Sequence, residues 1–253
     1  PGGSGKTCRG PHRYGYTAPA GCPHMDVRIS PAAVGGTVRA PPSKSYSHRA
    51  ILAGGYSDSA TVIGPLDSAD TAATRRAVEA FGARVTPTGA DDTLAIAGFA
   101  GRPDVPDDVL DCANAGTTMR FVTATAGLAE GYTILTGDAS LRSRPQGPLL
   151  AAVESLGGTA LSVHEDGTAP LVIGGPIDGG TVTLPGDVSS QFISALLMAG
   201  AVTDAGITVD LETPVKSAPY IQITIEVLSA FGVTAEATTR GYRVTGGQRY
   251  HPE

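Results

Sequence analysis

Three segments of the chain share one hydrophobic pattern. Residues 77–82, 152–157 and 226–232 each read as the end of an amphipathic helix, where a bulky apolar residue is followed by Gly82, Gly157 or Gly232. Both intervals between these glycines are 75 residues. A glycine just past a periodic apolar run is a helix stop, since it takes the left-handed backbone there without steric cost. Behind each stop lies an alternating stretch broken by turn formers, at 84–98, 159–174 and 234–246, which predicts a hairpin. Ahead of each stop, an apolar first helix (46–53, 117–128, 190–199) is followed by a strand (61–64, 133–136, 208–211). A polar turn then opens the second helix. With a strand before each first helix the order is βαβαββ, three times over.

Burial decides how the copies assemble. The first helices are apolar almost all round, as in Phe192-Ile193-Ser194-Ala195-Leu196-Leu197-Met198, so they belong in the interior. The hairpin strands alternate and can face water on one side. The expected fold is α+β, with three βαβαββ repeats around a pseudo-threefold axis, helices inside and sheets outside.

Composition narrows the possibilities. With 253 residues, 41% hydrophobic and 17% charged, the chain is globular. Its longest apolar stretch, residues 193–202, is about half of the ~20 residues that a membrane helix needs. Net charge is −6 overall, and from residue 25 onward fifteen bases face 24 acids. No basic face stands out, so nucleic acid is not an expected partner. Two of the three cysteines fall within the first 24 residues, which is no disulfide framework and points to a reducing cytoplasm. The five histidines have no metal-ligand spacing, Cys112 has no Cys or His companion, and no GxGxxG follows a strand. No metal or cofactor is expected. Fifteen arginines against three lysines fit either G+C-rich coding or salt adaptation.

Residues 1–24 are rich in Gly and Pro, lack periodicity and read as a disordered leader or tag. Gly2-Gly3-Ser4-Gly5-Lys6-Thr7 matches the tail of a P-loop, but no strand precedes it and Pro11 follows soon after, so a working nucleotide site is not expected.

Parallel inner helices would gather their N-termini at one end, collecting free N–H groups and positive dipole ends into an anion site. The first helices open at Ser43-Lys44-Ser45, Asn114-Ala115-Gly116-Thr117 and Ser189-Ser190-Gln191. The second helices open near Asp67-Ser68-Ala69-Asp70, Arg142-Ser143-Arg144-Pro145 and Lys216-Ser217-Ala218-Pro219-Tyr220. Pro145 and Pro219 suit a first helical position. Each Ser, Asn or Asp taken singly reads as an N-cap. Lys44, Arg49 and Arg144 do not, because a cation at a positive helix end is unfavourable until an anion arrives. Together they indicate a phosphorylated or carboxylated ligand. Arg120 and Arg142 are weaker candidates, each explicable by pairing with a nearby Asp.

These segments carry a family resemblance. Pro42-Ser43-Lys44-Ser45-Tyr46-Ser47-His48-Arg49 resembles the PGSKSxSNR segment of the 5-enolpyruvylshikimate-3-phosphate synthases. Leu66-Asp67-Ser68-Ala69-Asp70-Thr71 resembles their LxSxDT turn, and Asn114 through Arg120 their NAGTxxR motif. Thr136-Gly137-Asp138 through Arg144-Pro145 resembles TGD…RP, Ser189-Ser190-Gln191-Phe192 matches SSQF, and Ser217-Ala218-Pro219-Tyr220 resembles SKPY. The resemblance implies one domain of the enolpyruvyl transferase fold. It also implies transfer of an enolpyruvyl group from phosphoenolpyruvate to shikimate 3-phosphate through a tetrahedral intermediate, in aromatic amino-acid biosynthesis. By motif position, Lys44, Gly116, Arg144 and Gln191 would contact phosphoenolpyruvate, with Lys44 catalytic. Lys44, Ser45, Arg49, Ser189, Ser190, Gln191, Ser217 and Tyr220 would hold shikimate 3-phosphate. Both partners are small molecules, and a cytoplasmic monomer is expected at full length.

The sequence departs from the family pattern in places. Pro42 stands for Gly, His48 for Asn, Ala113 for a frequent Gly, Phe121 for a frequent Pro and Ala218 for Lys. Phe121 is expected to reshape the helix under Gly116. The resemblance further implies a second half bearing the acid/base carboxylates. Residues 25–41 are then a strand segment joining that second domain, 42–247 the three-repeat domain and 248–253 a truncated crossing between domains. The expectation is half a site, without turnover alone. Two other readings are a UDP-N-acetylglucosamine enolpyruvyl transferase and a non-catalytic anion-binding half-domain.

Overall fold

The computed structural model describes residues 35–89 and 92–252. The leader, its P-loop-like segment and most of the expected strand at 25–41 lie outside them. The chain divides at Arg39 and Ala40. Of the first unit residues 35–39 are described and form neither helix nor strand. Everything below concerns the second.

The repeats are there. The first contains α1 (Lys44–Tyr56), β1 (Ser59–Val62), α2 (Ala69–Ala80), β2 (Arg84–Thr88) and β3 (Thr93–Ala97). The second contains β4 (Leu110–Asp111), α3 (Gly116–Ala126), β5 (Tyr132–Thr136), a short α4 (Ala139–Arg142), α5 (Gly147–Ser155), β6 (Thr159–Ser162) and β7 (Leu171–Gly174). The third contains β8 (Gly180–Leu184), α6 (Ser190–Gly200), β9 (Ile207–Leu211), α7 (Ala218–Ala230), β10 (Ala235–Ala237) and β11 (Gly241–Val244). The sheets run β4-β5-β7-β6 and β8-β9-β11-β10, and in each the opening strand is parallel to its neighbour while the other pairs are antiparallel. The first sheet, β1-β3-β2, has three strands. Its opening strand is expected before residue 42, and most of that segment lies outside the described residues. Residues 40–43 lead into α1 without pairing.

Alternation of small inward residues lets the sheets cover the helices. β1 buries Ala60 and Val62 and turns Ser59 and Thr61 out, and β8 buries Val182 and Leu184. The inner helices are buried along most of their length, α6 from Phe192 to Gly200. Threonines inside α3 stay satisfied by bonding back one turn, Thr123 to the Met119 carbonyl at 2.8 Å and Thr125 to that of Phe121 at 3.0 Å. Gly82, Gly157 and Gly232, the glycines that set the 75-residue spacing, all have positive φ directly after their helices, as a C-terminal stop requires.

Buried polar contacts fix how the helices run. His48 on α1 shares a 2.6 Å hydrogen bond with Thr74 on α2, and Thr74 shares one of 2.7 Å with Thr118 on α3. At the other end, the Tyr56 and Thr125 hydroxyls meet at 2.8 Å. Early residues meet early ones and late meet late, so α1 and α3 are parallel with their N-termini together. Residues 248–252 pack on this domain. Tyr250 is buried, stacks on Tyr56 with centroids 5.1 Å apart, and donates to the Met198 carbonyl at 2.6 Å.

Two outcomes test this packing. Burial lowers the pKa of His48 to about 4 from 6.5, with the nearby Asp70 opposing the shift. A base held neutral in the fold while the unfolded chain is protonated lowers stability, with no loss above pH 6.5 and a loss that grows as pH falls toward 4. That loss should amount to about 3 kcal/mol. Urea unfolding across that range should show this loss, and His48→Asn should flatten it. Gly98 allows a close backbone approach, since a Cβ there would lie 2.5 Å from the Gly54 and Gly55 carbonyl oxygens. Gly98→Ala should lower the unfolding free energy by about 1–3 kcal/mol with an unchanged urea m-value.

Candidate functional site

The helix starts differ in how they are closed. Ser43 caps α1 and Ser189 caps α6 with their side chains, and Ser68 with Thr71 forms a reciprocal capping box on α2. At α3 and α7 the cap positions, Ala115 and Ser217, make no side-chain bond to the helix. The α3 opening keeps free N–H groups at a positive dipole end, whereas at α7 Pro219 has no N–H and that of Tyr220 donates to the Ser217 carbonyl at 3.1 Å. Asn114, which reads as a cap, instead serves Arg144.

A cavity of about 290 Å³ opens beside α1, α3, α6 and α7, lined by Ser45, Arg49, Thr117, Arg120, Val188, Ser189, Ser190, Gln191, Ser217 and Tyr220. Seven of these ten are residues expected to hold shikimate 3-phosphate; Thr117, Val188 and Arg120 are additional. The deepest charge is Arg49, 1% exposed. Its Nε donates to Thr224 Oγ1 at 2.7 Å and its Nη1 to the Ser45 carbonyl at 3.0 Å. Its Nη2 donates to Ser194 Oγ and the Tyr220 carbonyl, both at 3.1 Å. The guanidinium lies 5.1 Å from the centroid of the Phe121 ring. Phe121 therefore supplies a π-face beneath a buried cation, while α3 stays regular around it. Burial pulls the Arg49 pKa down to about 10, against the pull of Tyr220 and Tyr46.

Gly116, Arg120 and Arg144 form the adjoining part. A Cβ on Gly116 would sit 2.8 Å from Arg120 Nη1 and 2.9 Å from Arg144 Nη1, so the two guanidinium groups converge on the open first residue of α3. Arg144 is held by Asn114, whose Oδ1 accepts from Nη2 at 2.6 Å, and the Asn114 amide in turn donates to Asp138 Oδ2 at 2.7 Å. Arg144 lies between α4 and α5, not at a helix start. Pro145 also precedes the α5 cap, Gln146, and Pro148 occupies the early helical position instead. Pro219 is the second residue of α7. Arg120 donates to Gln191 Oε1 at 2.7 Å and Arg142 to the Gly137 carbonyl at 2.6 Å, and neither pairs with an Asp among the described residues.

Lys44, first residue of α1, lies outside the cavity lining and pairs with Asp70 Oδ2 at 2.8 Å, its side chain 53% exposed. It still belongs to the same end of the molecule. The Asp70 carbonyl is 3.4 Å from Thr118 Oγ1, two residues beyond Gly116. The Lys44–Asp70 pair was missed at the sequence level. In the sequence an Asp at this helix start reads simply as an N-cap. Among the described residues Arg49, Arg120 and Arg144 make no ion pair, and none group as a metal site.

Removing the open space at Gly116 tests this convergence. Gly116→Ala should leave stability within about 1 kcal/mol, because the displaced atoms are flexible arginine tips and alanine favours helix. Calorimetric titration with inorganic phosphate should show clearly weaker binding than in the parent chain.

Known proteins resemble both the sequence and the fold. Relatives named 3-phosphoshikimate 1-carboxyvinyltransferase are 59% identical in Natronomonas pharaonis and 60% identical in Halobacterium salinarum. Each match covers 90% of this chain and, respectively, 54% and 53% of the relative. The chain thus spans about half the length of the curated relatives it matches. Among solved structures, EPSP synthase from Acinetobacter baumannii aligns with a TM-score of 0.76 at 27% identity, over 86% of this chain and 48% of that one. The enolpyruvyl transferase NikO from Streptomyces tendae, at 20% identity and a TM-score of 0.62, matches in fold. The EPSP synthase (3-phosphoshikimate 1-carboxyvinyltransferase) profile matches residues 29–253, and the chain belongs to that family.

Proposed function

We propose that this chain carries half of the site of a 3-phosphoshikimate 1-carboxyvinyltransferase. In this reading the cavity around Arg49 receives shikimate 3-phosphate, and the opening over Gly116 receives phosphoenolpyruvate. The observation that carries it is Arg49. A guanidinium buried without a carboxylate partner costs free energy that neutral hydrogen bonds offset only in part. A cavity beside it lined by serines and further arginines supplies what it lacks once an anion enters.

The residues divide the work by position. Ser45, Arg49, Ser189, Ser190, Gln191, Ser217 and Tyr220 hold the phosphorylated acceptor, and Lys44, Gly116, Arg144 and Gln191 hold the donor. Lys44 and Gln191 serve both, which brings two anions into contact despite their repulsion. The acceptor hydroxyl gives up its proton as its oxygen bonds to the enol carbon of phosphoenolpyruvate and the donor's methylene becomes a methyl by gaining one. The C–O bond to phosphate then breaks as the methyl loses a proton, so the net proton passes from the acceptor hydroxyl to the released phosphate. Lys44 and Arg144 would stabilise charge on the donor through both steps. To do so Lys44 must release Asp70, an exposed pair that water screens well.

The same reading makes the ligands small metabolites and the full-length protein a cytoplasmic monomer without nucleic-acid or membrane partners. No described helix is long and apolar enough to cross a membrane. Isothermal titration should give saturable binding of shikimate 3-phosphate that UDP-N-acetylglucosamine does not displace. Arg49→Met should abolish that binding while leaving unfolding free energy unchanged or higher, since it removes a buried unpaired charge. The purified chain should form no 5-enolpyruvylshikimate 3-phosphate. Displacement by the UDP sugar, or an Arg49→Met chain that binds normally, would refute the assignment.

A further inference from the structure

Arg120 has no obvious reason to be charged. It lies on α3 with its guanidinium carbon 5.5 Å from the centroid of the Phe192 ring. Its Nε is buried without a hydrogen-bond partner. Burial, with Arg144 nearby, lowers its pKa to about 10. An apolar side chain over Phe192 would avoid both the desolvation and the repulsion. The cation must return something, and its bond to Gln191 shows what.

A primary amide presents an acceptor on one side and two donors on the other, and rotation exchanges them. Arg120 has no acceptor, so only the oxygen of Gln191 can face it, at 2.7 Å. Thr117 Oγ1 takes one Nε2 proton at 2.9 Å. The backbone N–H of Gln191 is occupied by Ser189 Oγ at 3.2 Å. With its oxygen turned to a cation and one lone pair spent there, the amide's nitrogen end keeps one proton, the second on Nε2, for a ligand. A side chain that could turn either end to a ligand has its oxygen end set toward Arg120.

We propose that Arg120 is a positioning residue that locks the Gln191 amide with its oxygen inward, so that Gln191 offers the cavity a hydrogen-bond donor and selects an anionic oxygen. The consequence for ligand choice rests on reading this cavity as the shikimate 3-phosphate site; the lock itself does not. Arg120 acts on the ligand through Gln191.

Two measurements separate the parts. In the ligand-free chain labelled with ¹⁵N, the Gln191 Nε2 protons should exchange slowly with water. Arg120→Met should speed that exchange and Arg120→Lys should restore most of the protection. Unchanged exchange in Arg120→Met overturns the lock whatever the cavity binds. In calorimetry, Arg120→Met should weaken shikimate 3-phosphate binding about tenfold. In a Gln191→Ala background the same change should cost less than about twofold. Equal losses in both backgrounds overturn the positioning role, because Arg120 would then act independently of Gln191. A parent chain that shows the protected amide but does not bind shikimate 3-phosphate refutes the ligand assignment and leaves the lock standing.

Discussion

The candidate site depends on a buried charge, Arg49, that has no ion-pair partner among the described residues. The Arg49 guanidinium joins three helices through neutral acceptors: Ser45 on its own α1, Ser194 on α6, and Tyr220 and Thr224 on α7. Thr224 also donates to Ser194 at 2.7 Å, so removing the arginine would leave the polar groups of α6 and α7 partly satisfied. That separates two functions usually confused in buried ionic groups. The hydroxyls and carbonyls maintain the helix contacts, while the positive charge does little for the fold and costs desolvation. Its retention makes sense as stored attraction for an anion, held where low dielectric strengthens it.

Gly116 works by the opposite means. It contributes no group of its own and instead leaves room, so that Arg120 and Arg144 can both reach the uncapped start of α3. The convergence of two like charges is unfavourable in the empty site. It is tolerated because each guanidinium is tied to a side-chain amide oxygen, Arg120 to Gln191 and Arg144 to Asn114. The cavity over Arg49 and the opening over Gly116 share Arg120 and Gln191, so whatever fixes Gln191 couples the two.

Much of this was legible in the sequence because it rests on periodicity. The 75-residue recurrence gave the three repeats, and the apolar first helices required an interior position. Cations at helix starts flagged Lys44, Arg49 and Arg144. The opening strand of the first repeat is expected within residues 25–41, most of which lie outside the described residues. Arg144 was placed at a helix start because Pro145 resembles an N1 proline, whereas the real α5 opens after Gln146 with Pro148. The partners of Arg120 and Lys44 were beyond reach, since Gln191 is 71 residues from Arg120 and Asp70 is 26 from Lys44. Neither distance carries a local sequence signal. Phe121 shows the same limit. A residue read as a distortion of α3 proves to be the floor under Arg49, a relation that only the packing of α1 on α3 creates.

The two cations assigned to the donor differ in freedom, and the difference has chemical meaning. Arg144 is fixed in series, held by Asn114, which is held by Asp138, whose other oxygen caps α4 through Leu141 at 2.8 Å. Its fork is oriented before any ligand arrives, which suits a group that recognises a planar or tetrahedral anion by geometry. Lys44 is held by one exposed contact to Asp70, a kind of pair worth little in water, on a flexible stem that can swing. A preset guanidinium and a recruitable ammonium at one end of a helix bundle can first orient an anion and then follow its charge as the bonds around it change. Pre-organisation alone could not do the second, nor mobility the first.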